Sequence, residues 1–342
     1  MVKIFTVDSP FAPGMPSMQT LTAQAEKWDA SQVIDYVLCG YSSLWPHNFI
    51  TSSHLLAATK KVKLIVAHRP GVMHPAAAAR VFGTMDFLSG GGRIAINFVT
   101  GSSPKDVHRE GDYADKATRY ERAADYVSMM KRCWSEQASF DYDSEFYKAE
   151  GVRQLMKPLK GHVPVFMGGD SDEAVAFGAQ HADTYMLWGE PLAGTQERIE
   201  RVSSAAKAFG RKPEFSLSLR LFIGDTDEAA WEKARHAEQT ILEAEGTNRF
   251  ARSASTDKSI GKMRQMAIAD AELHDDCFWT GLVKLLGGFA NSAALVGTPD
   301  RVLAALKKYR ALGIDAFLIT GGVDGFWDPT LEDFLIQVKQ EL

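Results

Sequence analysis

The feature that most constrains this chain is a rhythm. Short apolar, β-rich runs alternate eight times with longer stretches of helical pattern. The runs are KIFTV (3–7), VIDYVLC (33–39), KLIVAH (63–68), RIAINFV (93–99), VPVFMGG (163–169), TYMLWG (184–189), FSLSLRLFI (215–223) and DAFLITG (315–321). Helical patterns follow them around 18–29, 49–59, 75–88, 116–135, 171–181, 194–209, 226–246 and 330–340. Parallel strands need a crossover at each return, so the alternation predicts βαβ units. Eight such units predict one closed (β/α)8 TIM barrel spanning 1–342, rather than an open doubly wound sheet. A dinucleotide-binding fold is disfavoured, because no G-x-G-x-x-G follows the first strand. The glycines of SGGGR (89–93) precede a strand, which makes them a turn at the end opposite catalysis.

Two stretches break the rhythm. Residues 137–162 read as a hairpin and excursion, and 247–277 form a long polar insertion after the seventh strand, expected to be a mobile lid. A helix is expected over FWTGLVKLLGGFA (278–290).

Net charge is −5, which offers no global attraction for nucleic acid or an anionic membrane. Cys39, Cys133 and Cys277 show neither metal spacing nor a disulfide framework, and no run of eighteen apolar residues occurs. With no signal-peptide pattern at the start, a cytoplasmic protein is expected.

In a barrel, chemistry collects at the C-terminal strand ends. Those ends carry Asp8 and Ser9, Cys39 to Ser43, His68 and Arg69, Asn97 to Ser103, Gly168 to Ser171, Trp188 to Glu190, Arg220 and Phe222, and Thr320 to Gly322. The mixture is polar, cationic and aromatic at once. In GGDSDEA (168–174), two glycines end a strand and Asp170, Ser171 and Asp172 open a helix. That is a phosphate cradle or an ordinary N-cap; in the first case Asp170 should point away. Arg69 and Arg220 could each grip an anion by a forked contact or pair with a carboxylate. His68 could act as acid or base, or be a hydrogen-bonded structural residue. Trp188 could be wall or core. Asp86, Glu121 and Asp125 read as solvated faces or ion pairs. The remaining histidines are scattered, so no metal is expected.

With those residues in place, the chain resembles the bacterial luciferase-like superfamily of flavin-dependent monooxygenases, and within it the alkanesulfonate monooxygenase group. The likeness is carried by RPGVMHPAAAARVFGTMDFLSGGGRIAINFVTGSS (69–103), RYERAADY (119–126), VPVFMGGDSDEA (163–174), YMLWGEP (185–191), GRKPEFSLSLRLFIGDTDEAAW (210–231), FARSASTD (250–257), QMA (265–267) and ALVGTPDRV (294–302). It implies reduced FMN and O2 as cosubstrates, the flavin being supplied by a separate NAD(P)H-dependent reductase. It also implies a homodimer or homotetramer and, in the sulfonate group, release of sulfite and an aldehyde. Carried over by position, Asn97, Thr100, Gly101, Ser102, Tyr120, Gly168, Gly169 and Ser171 face the flavin. Trp188 and Arg220 stand by the substrate and reacting oxygen, with His68 as a third catalytic candidate. Arg69, Trp45, His47 and Lys284 are the candidate substrate contacts.

The departures are specific. Phe222 replaces the group's histidine, Gly322 its tyrosine and Leu286 an arginine, and YSSLWPHNF (41–49) is a different loop. They open alternatives: a ring amide, ketone or uncharged sulfur compound as substrate, a flavin-binding relative without catalysis, or a deazaflavin (F420) oxidoreductase.

Overall fold

The computed structural model describes residues 1–7, 17–101, 103–244, 259–288, 292–322 and 327–342. The predicted lid over 247–277 therefore lies partly outside the described residues, as do Asp8, Ser9 and Ser102.

Strands β1 (Lys3–Val7), β2 (Ile34–Cys39), β3 (Lys63–His68) and β4 (Ile94–Phe98) pair in parallel, in order. A hairpin of β5 (Phe140–Asp143) and β6 (Lys148–Val152) intervenes, as the 137–162 excursion predicts. The parallel order resumes with β7 (Val165–Gly168), β8 (Thr184–Trp188) and β9 (Glu214–Ile223). After a small hairpin, β10 (Leu273–His274) with β11 (Phe278–Trp279), come β12 (Ala294–Gly297) and β13 (Ile314–Thr320). β13 pairs with both β9 and β1, which closes an eight-stranded parallel barrel with helices between the strands. The eight predicted strands are the eight staves.

Alternation along each strand separates two packed layers. Phe5, Ile65, Ala95, Phe166, Ala316 and Leu318 meet inside the barrel. Their neighbours one residue away, such as Ile4, Leu64, Ile94 and Phe317, pack outward against the helices. By the same parity Ala67, Asn97, Trp188, Arg220 and Thr320 continue the inward rows to the C-terminal end.

The predicted helix over 278–290 is corrected. Phe278 and Trp279 pair antiparallel with Leu295 and Ala294, and among the described residues of the segment only Gly281–Leu285 is helical. Gly287 and Gly288 have φ of 62° and 71°, which an α-helix excludes. β12 and the helix Pro299–Leu312 are additional to the predicted elements. β9 is long enough to hold β13 with its first half while Arg220–Ile223 pair with β12. The reading of Asp86 as solvated is also corrected. It is buried, and its carboxylate accepts from the Gly92 and Leu159 N–H groups (2.7 and 2.8 Å), fastening the Gly90–Gly92 turn at the far end of the barrel. Among the described residues no helix is long and apolar enough to cross a membrane.

Candidate active site at the barrel mouth

β4 delivers Asn97 two residues after the inward-facing Ala95, and its side chain is partly exposed toward the mouth. No hydrogen bond to its amide is found among the described residues. An amide on an otherwise apolar strand needs a partner once water is excluded, so its position fits a ligand.

The chain beyond β4 is tied down at once. Arg119 donates to the carbonyls of Thr100 (3.0 Å), Gly101 (3.2 Å) and Ala114 (2.6 Å). Gly101 has φ +88°, and a Cβ there would come within 2.3 Å of Val107, so only glycine fits this turn. Tyr120, from the helix Lys116–Ser135, brings its hydroxyl to Thr100 and Ser171. Burial raises its pKa while those two hydroxyls work the other way, so it stays a neutral donor.

On the neighbouring stave, Gly168 and Gly169 end β7. A Cβ on Gly168 would meet the Met186 carbonyl at 2.6 Å, and one on Gly169 would meet Ala174 at 2.7 Å and lie 3.6 Å from the Tyr120 hydroxyl. Thr100, Tyr120, Gly168, Gly169 and Ser171 are thus brought together. Ser171 caps the helix Asp172–His181, its Oγ accepting from the Ala174 N–H at 3.3 Å. The N-cap alternative is therefore realised. Glu173 turns back to the same end, where Lys116 (2.9 Å) holds its pKa down, to about 2, aided by Ser171.

Asp170 does not point outward as expected. It is buried and paired with Arg198 at 2.5 Å. Burial still raises its pKa, against the pull of Arg198. The same arginine donates to the Trp188 carbonyl (3.2 Å) and lies 3.6 Å from Glu190. Glu190, 2% exposed, is gripped by both ends of the Arg264 guanidinium: Nε to Oε1 at 2.8 Å and an Nη to Oε2 at 2.7 Å. Glu197 adds a 2.7 Å contact to Arg264. Arg264 lies on the helix Ile260–Ile268, within the described part of the 247–277 insertion. A Cβ on Gly261 would come within 3.3 Å of the Trp188 ring, so this helix rests directly on the indole. Trp188 is a wall residue beneath it. No sequence motif marks this network: Arg264 joins Glu190 from 74 residues away, and the Glu190 to Arg198 spacing matches no binding pattern.

Arg220 is buried, and its guanidinium donates to the Gly322 carbonyl at 3.0 Å across β13. Arg69 realises the ion-pair alternative. It is bonded to Asp106, lies 2.6 Å from Glu110 and stacks 4.9 Å from the Tyr41 ring. Ser42 and Ser43 complete the cage by donating to Asp106 at 3.1 and 2.6 Å. Its charge is already neutralised, which removes the basis for reading it as an anion receptor.

His68 is corrected outright. Its ring points out of the barrel into a buried cage of Phe49, Phe82, Phe98 and Tyr126, with Nε2 at 2.6 Å from the Tyr126 hydroxyl. Burial, with the charge of His47 added, lowers its pKa to about 3. It is a neutral structural residue. His47 is the N-cap of the helix Asn48–Ala58, accepting from the Phe49 N–H at 3.3 Å. Trp45 is half exposed, its ring within 2.9 Å of where a Gly40 Cβ would sit. Lys284 is exposed on the short helix Gly281–Leu285. Phe222 packs with Trp279 and Ala230 in an apolar cluster beside β12.

A closed (β/α)8 barrel with its polar side chains gathered at the C-terminal mouth defines the class of this molecule. A model of the luciferase-like monooxygenase family matches residues 18–316, and the chain belongs to that family. Solved structures show the same fold at low identity. A riboflavin lyase with modified FMN and riboflavin is 17% identical, at a TM-score of 0.75 over 100% of this chain and 92% of that one. The oxygenating constituent of 3,6-diketocamphane monooxygenase from Pseudomonas putida, in complex with FMN, is 18% identical, at 0.74 over 100% and 99%. An F420-dependent secondary alcohol dehydrogenase is 15% identical, at 0.67 over 99% and 97%.

Proposed function

We propose that this protein is the oxygenating component of a two-component monooxygenase that takes reduced FMN from a separate NAD(P)H-dependent reductase. The observation that carries the reading is Asn97, an inward strand-end amide with no hydrogen bond found among the described residues, on the stave that pairs with the one ending at Gly168. That set fits a flavin: an amide for the ring, small residues that permit close approach, and neutral hydroxyls at a helix N-terminus for the phosphate. The description of the diketocamphane enzyme as an oxygenating constituent supports a separate reductase.

When bound, the reduced flavin supplies two electrons, so that one atom of O2 enters the substrate and the other leaves as water. The chain's own residues orient and enclose. Asn97, Tyr120 and Ser171 would hold the flavin, and Trp188 with the helix above it would keep water from it. Arg220, buried at the end of β9, would supply a cation for an anionic substrate. The substrate proposed is a small organosulfonate, R–CH2–SO3⁻, which with FMNH2 and O2 gives RCHO, sulfite, FMN, water and one proton.

A second reading, a ring amide, ketone or uncharged sulfur compound, is favoured by one observation. Asp106 and Glu110 neutralise Arg69, and Phe222 and Gly322 add no charge near Arg220. The deciding experiment couples the protein to a flavin reductase with NADH and O2, and scores sulfite across a sulfonate panel. Sulfite release establishes the first reading. FMNH2 binding with no sulfite moves the substrate to the second, and tight F420 binding without FMNH2 binding ends both. Asn97→Ala should raise the FMN dissociation constant up to about tenfold, the worth of one neutral hydrogen bond, without lowering the melting temperature.

A further inference from the structure

The helix Ile260–Ile268 sits on the mouth with little apolar burial to hold it there. Its buried residues are Gly261 and Gln265; Ile268 alone of its large apolar side chains packs partly against the core, while Ile260, Met263 and Met266 remain exposed. A nine-residue helix is marginal alone and ordinarily depends on an apolar face for its docking. Here the ties are polar: the Gln265 amide donates to the Gly189 carbonyl at 2.8 Å, and the Arg264 fork grips Glu190.

The ion pair is built so that docking matters to both partners. Glu190 is buried, and its other cation, Arg198, stands 3.6 Å away and is engaged with Asp170 at 2.5 Å. Lifting the helix would remove Arg264 and leave the Glu190 carboxylate with only the more distant Arg198, an unfavourable state. The Glu190 side chain also needs Gly194, where a Cβ would come within 2.4 Å of Oε2. One turn earlier on the same face of the helix, a Gly261 Cβ would meet Asp170 at 2.6 Å and the indole at 3.3 Å.

We propose that Arg264 is a positioning residue: clamped to Glu190, it holds the helix Ile260–Ile268 on the Trp188 indole and fixes that wall of the barrel mouth. Its placement beside a flavin rests on the function proposed above; the clamp itself does not.

The test is hydrogen exchange by mass spectrometry on the full chain, as wild type, Arg264→Gln, Arg264→Lys and Gly261→Ala, with acrylamide quenching of Trp188 read against Trp188→Phe. Arg264→Gln should speed exchange across 260–268 at least tenfold, leave the barrel strands unchanged and expose Trp188 to quencher. Arg264→Lys, which keeps the charge but not the fork, should fall between. Gly261→Ala wedges the helix away without altering charge and should reproduce the Arg264→Gln pattern, which keeps the test available if that variant does not fold. Unchanged exchange in 260–268, or equal acceleration across the barrel strands, overturns the proposal. Titration of the wild type with FMN separates the two ideas: absence of binding defeats the flavin reading, while the exchange result still decides the clamp.

Discussion

At the residue scale, two polar side chains one stave apart have opposite fates, and strand parity decides them. Asn97 faces inward, where a ligand can complete it. His68, at the end of the adjacent stave, faces outward into aromatic rings. Residue type alone marked both as site candidates; what separates them is a register that the alternation of β3 already contained, since Ile65 and Ala67 share the inward face. The prediction that belongs here is a pH dependence. A histidine whose folded pKa is depressed stays neutral in the native state and takes a proton when unfolded. Its contribution to stability is therefore complete above its ordinary pKa of 6.5 and is lost as the pH falls toward about 3. His181, also lowered to about 3 by burial and by Lys131 and Arg211, acts in the same window. Urea unfolding at a series of pH values between 6.5 and 4 should show stability falling with acidity, less steeply in His68→Gln than in wild type. Parallel curves for the two proteins would assign the loss to other groups.

Among the elements, legibility followed local pattern. The eight staves and the hairpin after β4 announce themselves by apolar runs and turn residues. β12 and Pro299–Leu312 carried usable signals too, the run ALVG, a Thr-Pro start and a Gly313 stop with φ +110°, but their motif value overshadowed them. The segment 278–290 misled because its apolar residues suit either period; pairing with β12 and the glycines at 287 and 288 decided it. Asp86 shows the limit differently: its partners, Gly92 and Leu159, belong to separate connections, and no helix-face pattern reports a carboxylate that ties them. Asp86→Ala leaves two buried-end N–H groups without their charged acceptor. It should destabilise the fold by about 1.5–3 kcal/mol in chemical denaturation, the usual worth of hydrogen bonds to a charged group. Lying at the opposite end from the mouth, it should leave FMN binding at the wild-type level. A weakened flavin affinity at full stability would contradict that separation.

For the whole molecule, closure is the property that a list of strands does not contain. The sequence orders the staves; only the pairings of β8 with β9 and of β13 with both β9 and β1 turn the order into a cylinder. β13 is the keystone, because it bonds the C-terminal part of the chain to its first strand, Lys3↔Ala316 through Phe5↔Leu318. Neither half of the barrel can complete its hydrogen bonding or cover Phe5, Phe166 and Leu318 without the other. The proposal of one domain over 1–342 therefore has a cooperative consequence. Far-ultraviolet circular dichroism and tryptophan fluorescence should report a single coincident unfolding transition in urea. Removing the chain from residue 314 onward should abolish that transition rather than shift it, since it opens two sheet edges and the inner core together. Two separated transitions, or a truncated chain that still unfolds cooperatively, would show that the staves divide into independent units and that closure is not what holds the mouth in shape.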